Sequence, residues 1–414
     1  MQADGGCARL VGKPQPANVQ DLGEMLDLSR MRRARLDRLT AAMRAAGMDA
    51  LLLLGPSNQA YAGLTRPCAD AMRMHYETVA MLVPASGAAH LWIGTREGIP
   101  PEIPASHVHP PLALDYEEGV AELAAALRDV APGCRRLGID ETTGPLLAGL
   151  PALLAGVEIV DGTQATIPAR LQKTPDEIEC MRIAQRINED AMGAVEAALR
   201  PGVRQNELSA AFFRRAFELG SSVSIIDPIW SLTPVSTALQ TVTANGDVGF
   251  PLSSNDRFLR EGDLVLSDTG LGWNGYHSDF GKTWICSLRP KPSAALRDCY
   301  LRWRDLIEEV YAAIRPGASC GDLVRAAQKV EPKHALKHFY LGHGLGCDSA
   351  EGPIIGSDLG LPFDDTVELK QAMVFVLEPV VWRDGVGGYR SEEVVAVTDT
   401  GYDRLSQYGY APFE

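Results

Sequence analysis

An apolar run ends in a carboxylate in the stretch Asp263-Leu264-Val265-Leu266-Ser267-Asp268. A second carboxylate, Asp279, follows eleven residues later, across the glycine-rich turn 270–275. Short apolar runs bounded by turn residues are typical of buried strands. We therefore predict two strands, over 264–267 and 277–287, that form a hairpin and bring both carboxylates to one place.

Three further segments place an acidic or imidazole side chain beside an apolar run. His343 stands between glycines in segment 341–346, where the backbone can approach a ligand closely. Glu378 ends the run 374–377, and Glu392 precedes the run 394–397. Taken singly, each has a structural explanation, such as a hydrogen-bonded core histidine or a strand-edge charge. Glu378 is the hardest to explain in this way, because a buried carboxylate is costly unless it is paired.

Taken together, these side chains predict a metal site. Four carboxylates and one imidazole in one region indicate a shared positive partner, and their oxygen donors suit Mn²⁺, Fe²⁺, Co²⁺ or Zn²⁺ in a two-metal site. The predicted ligands are Asp268, Asp279, His343, Glu378 and Glu392.

The composition restricts the class of protein. The chain has 414 residues, with 39 Lys+Arg against 53 Asp+Glu, a formal net charge of −14. This acidic balance disfavours nucleic acid and anionic membrane as partners. Eight cysteines are scattered without a CxxC pair, which is typical of reduced thiols, and no secretory signal is visible. The longest apolar stretches fall short of the ~20 residues of a membrane span. We expect a cytoplasmic protein.

The chain divides into two predicted domains. After a polar arm (1–28), an arginine-rich helix over 29–46 is expected to show its charged face to solvent. Strands over 50–54, 79–83 and 89–93 and a helix over 119–130 then indicate an α/β domain. The segment Thr174-Pro175-Asp176-Glu177 is typical of a capped helix start. We place the boundary at residue 168, giving domains 1–168 and 169–414.

The motifs around the five predicted ligands resemble those of the pita-bread metallopeptidases, which include prolidase, aminopeptidase P and creatinase. The resemblance rests on segments 262–270, 275–279, 342–346, 378–379 and 388–393. Segment 173–178 resembles the start of the catalytic domain in the prolidase/creatinase branch, and segment 51–63 resembles its N-terminal domain. The resemblance implies an α/β (α+β) protein, with a pita-bread catalytic domain and a smaller creatinase-type N-terminal domain.

The resemblance also implies roles for the ligands. Asp268 would bind one ion, Asp279 and Glu392 would bridge two, and His343 and Glu378 would complete the site of the other. A bridging water would be the nucleophile. Relatives of this length usually form homodimers in which one N-terminal domain closes the partner's site. His75, Tyr76 and Trp92 are candidates to enter that site.

The sequence departs from the peptidase pattern at the histidines that handle peptides. The family usually has one near the position of Phe250-Pro251, and no histidine occurs between His109 and His277. A second is common where Ala350 stands, and Gly281-Lys282 replaces a frequent Thr-Arg pair. The dimethylsulfoniopropionate lyase branch also lacks these histidines, but Gly270 stands where that branch has an extra acidic residue.

Three functions remain open at this point. The first is a dinuclear metallohydrolase of a small amide, amidine or dipeptide-like substrate. The second is a metal-dependent lyase that cleaves a sulfonium zwitterion by β-elimination, and the third is a catalytically inactive binding module. Asp348 and Glu351 are candidate general bases, although Glu351 is equally suited to supporting the site. Trp230, Tyr276 and Trp382 are candidates to contact a small cationic substrate, with core packing as the alternative.

Overall fold

The N-terminal region is built around a six-stranded mixed sheet. The computed structural model describes residues 26–63, 78–85, 88–94, 96, 99–221, 223–224, 228–233, 256–332 and 339–414. The sheet runs in the order β4-β3-β2-β1-β5-β6. Its strands are β1 (Ala50–Leu53), β2 (Ala80–Pro84), β3 (His90–Trp92), β4 (Val108–His109), β5 (Arg136–Ile139) and β6 (Glu158–Asp161).

Helices cover both faces of this sheet, which explains why β1 is apolar at every position. Leu51 and Leu53 share a core with the first helix, whereas Leu52 faces the opposite core with Leu123. Both faces are therefore buried, as the continuous apolar run predicts. The helices are α1 (Leu28–Ala45), α2 (Pro56–Tyr61), α3 (Glu117–Val130), α4 (Gly144–Leu153) and α5 (Thr163–Leu171), with a 3₁₀ turn at Ala105–His107.

Helix α1 joins the N-terminal region to the rest of the chain through its arginines. The Arg35 side chain is buried and donates to the Tyr276 hydroxyl (Nη1···Oη 3.0 Å). Arg30 forms an ion pair with Asp176 (2.6 Å). The expectation that these arginines form a solvated face is therefore wrong for Arg35. Its partner lies 241 residues away, where the pattern of the helix alone cannot show it.

The C-terminal region consists of helices packed against antiparallel sheets. The helices are α6 (Pro175–Ala198), α7 (Gln205–Glu218), α8 (Ala294–Ala313), α9 (Cys320–Val330) and α10 (Leu361–Asp364). The larger sheets run β12-β9-β8 and β14-β13-β15-β18-β19, and smaller ones run β11-β10-β7 and β16-β17. The strands are β7 (Val223–Ser224), β8 (Ile229–Leu232), β9 (Leu264–Thr269), β10 (Leu271–Trp273), β11 (Tyr276–His277), β12 (Phe280–Ile285), β13 (Gly342–Gly344), β14 (Glu351–Ile355), β15 (Val374–Leu377), β16 (Val380–Arg383), β17 (Gly387–Arg390), β18 (Glu393–Val397) and β19 (Tyr402–Arg404).

The start of α6 has the cap that its sequence predicts. Thr174 accepts from the amide of Glu177 (3.2 Å), and the Glu177 carboxylate accepts from the amide of Thr174 (2.6 Å), which satisfies two free amides at the helix end. The domain boundary proposed at residue 168 lies inside α5, and its position stays a prediction. None of the described helices has the length and apolarity that crossing a bilayer requires.

The hairpin expected around Asp268 and Asp279 is present. Strands β9 and β12 pair antiparallel, with Asp268 opposite Gly281. The predicted strand 277–287 is interrupted, because β10 and β11 form a short excursion before β12 begins at Phe280. Asn274 and Gly275 both adopt positive φ at its turn (48° and 80°). Asp279 therefore lies at the entrance to β12, beside the end of β9 that carries Asp268.

Candidate metal centre

Three carboxylates from separate parts of the chain meet at one point. Asp268 lies near the end of β9, Asp279 precedes β12, and Glu392 lies between β17 and β18. One oxygen of each lies within 4.8 Å of the others, and all three side chains are buried. The amide of Glu392 donates to the Gly281 carbonyl oxygen (2.9 Å), which fixes the backbone of Glu392 against the hairpin.

The two remaining predicted ligands lie beside this cluster. His343 is in the short strand β13, which pairs with β14 and β15, and its Nε2 lies 3.5 Å from Oδ2 of Asp279 and 3.3 Å from Oε1 of Glu378. Its Nδ1 faces the Gly344 carbonyl oxygen at 2.9 Å, which orients the other nitrogen toward the acids. Donor atoms of a tetrahedral shell with bonds of about 2.1 Å lie about 3.4 Å apart. These spacings therefore fit donors that share one ion.

Arg390 contributes a buried positive charge to the cluster. Its guanidinium lies 3.2 Å from Asp268 and 2.5 Å from Glu392, and it also pairs with Glu378. One cation thus faces three of the four acids. If all four acids were ionised, they would outnumber the arginine four to one, an excess of negative charge that burial makes costly.

The pKa values of the acids shift in opposite directions, because the acids are buried together around one arginine. Burial raises the pKa of Asp268 to about 7, against the opposing charge of Arg390. Burial, together with the charge of Asp279, raises the pKa of Glu392 well above its ordinary value. Burial would also raise the pKa of Glu378, but Arg390 and His343 lower it to about 2. Burial alone would lower the pKa of His343, but Glu378 and Asp279 raise it to about 9.

A divalent cation fits this arrangement. The Oε2 atom of Glu392 is buried and accepts no hydrogen bond within the part of the chain that the structure describes. Buried polar atoms are normally paired, so this oxygen lacks a partner of the kind that a metal ion provides. Carboxylate oxygens with one imidazole are the donors that such ions take. The structure thus places all five predicted ligands in one cluster that a divalent metal can occupy.

The two candidate bases lie in an ion-pair network beside this centre. Arg170, from α5, binds Asp348 (2.6 Å) and also Glu351, and Lys173 binds Glu351 (2.6 Å). The Ser57 hydroxyl donates to Asp348. Burial would raise the pKa values of both acids, but Arg170 lowers the pKa of Asp348, and Lys173 with Arg170 lowers that of Glu351. The Asp348 side chain is 42% exposed and that of Glu351 only 9%, so Asp348 is the more accessible of the two.

The aromatic candidates have packing partners of their own. Trp230, in β8, is buried, donates to Ser209 (2.8 Å) and packs against Phe212. Tyr276 is buried and donates to Glu177 (2.6 Å). Trp382 is half-buried in β16. Of the three, Trp382 is the most open to a small molecule.

Of the three residues suggested to enter a partner's site, only Trp92 is among the described residues. Trp92 is buried in β3 and stacks on His109, with ring centroids 4.9 Å apart. His75 and Tyr76 lie outside the described residues, as do Phe250 and Pro251.

Comparison with known proteins agrees with this geometry. Residues 179–399, more than half of the chain, match the model of Metallopeptidase family M24, and residues 35–172 match the Creatinase/Prolidase N-terminal domain. The chain belongs to metallopeptidase family M24. The resemblance to pita-bread metallopeptidases and the fold that it implies are therefore confirmed. As an M24 protein with a buried acidic cluster, the chain carries a site suited to divalent metal.

Relatives within the M24 family include a peptidase and a lyase. A Xaa-Pro dipeptidase from Pyrococcus furiosus is 27% identical over 241 residues, 58% of this chain and 64% of that protein. Dimethylsulfoniopropionate lyase DddP from Roseobacter denitrificans is 27% identical over 429 residues, 94% of this chain and 88% of that protein. The alignment thus spans less than two thirds of the dipeptidase's own length but nearly nine tenths of the lyase's.

Solved structures support the fold of this M24 chain. Prolidase from Thermococcus sibiricus has a TM-score of 0.74 and 21% identity, over 91% of this chain and 96% of that one. A dipeptidase from Pyrococcus horikoshii has a TM-score of 0.72 and 24% identity, over 91% and 98%. Likeness at this level of identity concerns the fold alone.

Sequence reasoning missed three side chains of this centre. Arg390 lies inside a quoted motif, two residues before Glu392, where an arginine beside predicted acidic ligands is itself a signal. Arg170 lies three residues before Lys173, in a segment with no acidic pattern, and its partners follow some 180 positions later. Tyr340 lies three residues before His343 and donates to Glu378 (2.8 Å), a contact that only the strand pairing shows.

Proposed function

We propose that this protein is a dinuclear divalent-metal-dependent hydrolase of a small amide, amidine or dipeptide-like substrate, of Xaa-Pro or zwitterionic type. The single observation that carries the proposal is the buried cluster of Asp268, Asp279 and Glu392, with His343 and Glu378 beside it. Two ions of Mn, Fe, Co or Zn, when bound there, would supply Lewis acidity and lower the pKa of a water that is the nucleophile.

The chain's own residues would bind, orient and exchange protons. Asp268 would hold one ion, Asp279 and Glu392 would bridge both, and His343 with Glu378 would hold the other. Arg390 keeps three of these acids in place. Asp348 is the proposed proton acceptor, because it is ionised by its pairing with Arg170 and is partly exposed. Glu351 is buried between Arg170 and Lys173, which suits it to holding the loop after His343.

The substrate-binding part of the proposal concerns the aromatic side chains and the partner subunit. Trp382 is the favoured contact for the substrate. Trp230 and Tyr276 would support the site through their packing and hydrogen bonds rather than by touching the substrate. We expect a homodimer in the cytoplasm. An inactive binding module is less favoured, since all five ligand side chains of the centre are present and converge.

A lyase is the second candidate, and one observation favours it. The alignment with the dimethylsulfoniopropionate lyase covers 94% of this chain, whereas that with the dipeptidase covers 58%. The absence of the peptidase histidines at Phe250 and Ala350 agrees with this candidate. Gly270 weighs against it, because the lyase branch carries an acid at that position. Such a reaction would remove a proton next to a carboxylate and expel dimethyl sulfide, with Asp348 as the base.

An activity screen separates the candidates. Protein loaded with Mn²⁺ or Fe²⁺ would be incubated with Xaa-Pro dipeptides, creatine-like amidines, ectoine and dimethylsulfoniopropionate, with the Glu392→Gln variant as the blank. Hydrolysis of an amide, amidine or dipeptide that the variant lacks supports the proposal. Release of dimethyl sulfide would replace it with the lyase. Metal content below one ion per chain after reconstitution, measured by elemental analysis, would refute both.

A further inference from the structure

A tyrosine hydroxyl contacts one of the proposed ligands directly. The Tyr340 side chain donates to Oε1 of Glu378 with an oxygen–oxygen distance of 2.8 Å, and its residue is 9% exposed. We propose that Tyr340 is a positioning residue, which holds the Glu378 carboxylate in the orientation that binds metal. This inference rests on the proposed metal centre, and it gives Tyr340 a role that none of the five proposed ligands has.

The backbone holds Tyr340 firmly at this point. The amide of Glu378 donates to the Leu341 carbonyl oxygen (2.8 Å), which ties the residue after Tyr340 to the residue that Tyr340 contacts. On the other side, Gly356 has φ of 75°, and a Cβ there would overlap the Phe339 carbonyl oxygen and lie 3.0 Å from Cα of Tyr340. The chain is thus closely packed around Tyr340, so its hydroxyl has little freedom to leave Glu378.

The contact fixes which oxygen of Glu378 faces His343. Arg390 pairs with Oε2, while Oε1 lies 2.8 Å from the Tyr340 hydroxyl and 3.3 Å from Nε2 of His343. A tyrosine hydroxyl carries its proton at neutral pH, and a carboxylate oxygen only accepts, so the hydroxyl is the donor in this contact. A carboxylate oxygen has two lone pairs, and the hydroxyl occupies one. The other remains for the ion that His343 would share.

Removing the hydroxyl would leave Arg390 as the stronger hydrogen-bonding partner of Glu378. The carboxylate could then turn toward the guanidinium and away from His343. Side chains that orient metal ligands typically change metal affinity by 10–100-fold when they are mutated. We therefore expect Tyr340→Phe to weaken binding of one ion per chain by about 10–100-fold.

The test measures Mn²⁺ binding to the full-length protein by calorimetry and by the electron paramagnetic resonance spectrum of the unbound ion. Tyr340→Phe is compared with Tyr410→Phe, a buried tyrosine whose hydroxyl accepts from the Ile285 amide (3.3 Å) and contacts no proposed ligand. Melting of the metal-free proteins reports any general loss of stability. Weaker binding of one ion in Tyr340→Phe, with wild-type affinity in Tyr410→Phe, supports the inference.

A double-mutant cycle with Glu378→Ala, which removes the acceptor of the tyrosine hydroxyl, separates positioning from a general packing effect. If the hydroxyl acts through Glu378, Tyr340→Phe changes the affinity of the Glu378→Ala protein by less than about twofold. An equal loss in both backgrounds, or an unchanged affinity in Tyr340→Phe alone, overturns the inference and leaves the metal centre intact. Wild-type protein that binds no Mn²⁺ overturns the proposed function and this inference with it.

Discussion

The Glu392→Gln substitution should separate the two effects of this buried acid. Burial and the charges of Asp279 and Asp268 raise the pKa of Glu392 well above its ordinary value, which favours its neutral form in the metal-free protein. A glutamine amide resembles that neutral form, and its oxygen can still accept from Arg390. We therefore expect the melting temperature of the metal-free variant to equal or exceed that of the wild type. In the presence of metal the variant should gain little stability, because it lacks a charged carboxylate oxygen that would hold the ions.

The size of the metal effect follows from linkage. An ion at 100 times its dissociation constant stabilises the folded state by about 2.7 kcal/mol. One kcal/mol moves the melting temperature of a domain of about 150–250 residues by about 2–4 °C, so each ion should raise it by about 5–10 °C. Differential scanning fluorimetry with and without Mn²⁺ measures this rise. We expect about 10–20 °C for the wild type with two ions, and less than about 3 °C for Glu392→Gln.

The neighbouring residue provides a matched control. Glu393 pairs with Lys282 (3.4 Å) and Arg404 (2.8 Å), on the other side of the strand from the cluster. Glu393→Gln should lower the melting temperature of the metal-free protein, since it leaves Lys282 buried without its charged partner. It should keep the rise with Mn²⁺. An equal rise in Glu392→Gln and the wild type would refute the assignment of Glu392 as a ligand.

Three further predictions follow from the same geometry. Because the pKa of Asp268 is raised to about 7, the folded metal-free protein holds a proton that the unfolded chain releases near pH 4. Its contribution to stability is therefore lost as the pH rises through about 7. Mn²⁺ affinity by calorimetry should fall by at least about a hundredfold per pH unit below 7, because a proton of Asp268 and a proton of His343, whose pKa is raised to about 9, both have to leave. Gly281→Ala should weaken Mn²⁺ binding without removing a ligand, because the methyl would overlap the Glu392 carboxylate. Arg170→Met should lower the free energy of unfolding in urea by about 3 kcal/mol, the lower end for a broken buried pair, since Asp348 loses its cation but is partly exposed and Glu351 keeps only Lys173.

Each of these has an outcome that contradicts it. Mn²⁺ affinity that is constant between pH 6 and 8 would mean that no proton is displaced from the cluster. Wild-type affinity in Gly281→Ala would show that Glu392 can move without cost. For Arg170→Met the control is Arg136→Met, which breaks an exposed pair with Glu158 (3.2 Å) and should change stability by less than about 1 kcal/mol. Equal effects of these two substitutions would contradict the buried network.

The sequence singled out the five side chains that converge in the structure because each stands where a local pattern changes. Asp268 and Glu378 end apolar runs, and an acid in that place is conspicuous without knowledge of its neighbours. The cap at Thr174 is likewise a local signal, and the structure has it. The apolar run 146–156 is shorter than a membrane span, and α4 covers most of it, with Pro151 inside the helix.

The surroundings of the ligands could not be predicted in the same way, since they depend on distant contacts. Asp348 is five residues from His343, which suggested a base, yet its partners Arg170 and Ser57 come from the N-terminal half of the chain. Arg35, in α1, likewise donates to the Tyr276 hydroxyl, 241 residues further along the chain. Periodicity reports which face of a helix is apolar, but not that an arginine on that helix is buried against a distant hydroxyl.

The charge of the loaded centre has a consequence for the substrate. Asp268, Asp279, Glu378 and Glu392 carry four negative charges when ionised, and Arg390 carries one positive charge. Two divalent ions would turn this excess of three negative charges into about one positive charge, with His343 neutral as a ligand must be. A centre of that sign attracts the carboxylate of a substrate rather than its cationic group.

This reasoning predicts which end of a zwitterionic substrate matters at the metals. Amidation of the carboxylate should lower kcat/KM by at least about tenfold, the equivalent of about 1.4 kcal/mol for one lost charge-assisted contact. Removal of the cationic group of the substrate should instead lower kcat/KM only when the carboxylate of Asp348, which is 42% exposed, is present. Steady-state rates of the metal-loaded enzyme with matched acid and amide forms, at two salt concentrations, measure the effect. An amide that reacts as fast as the acid would show that the cluster does not present a net positive charge, and would favour a single bound ion over two.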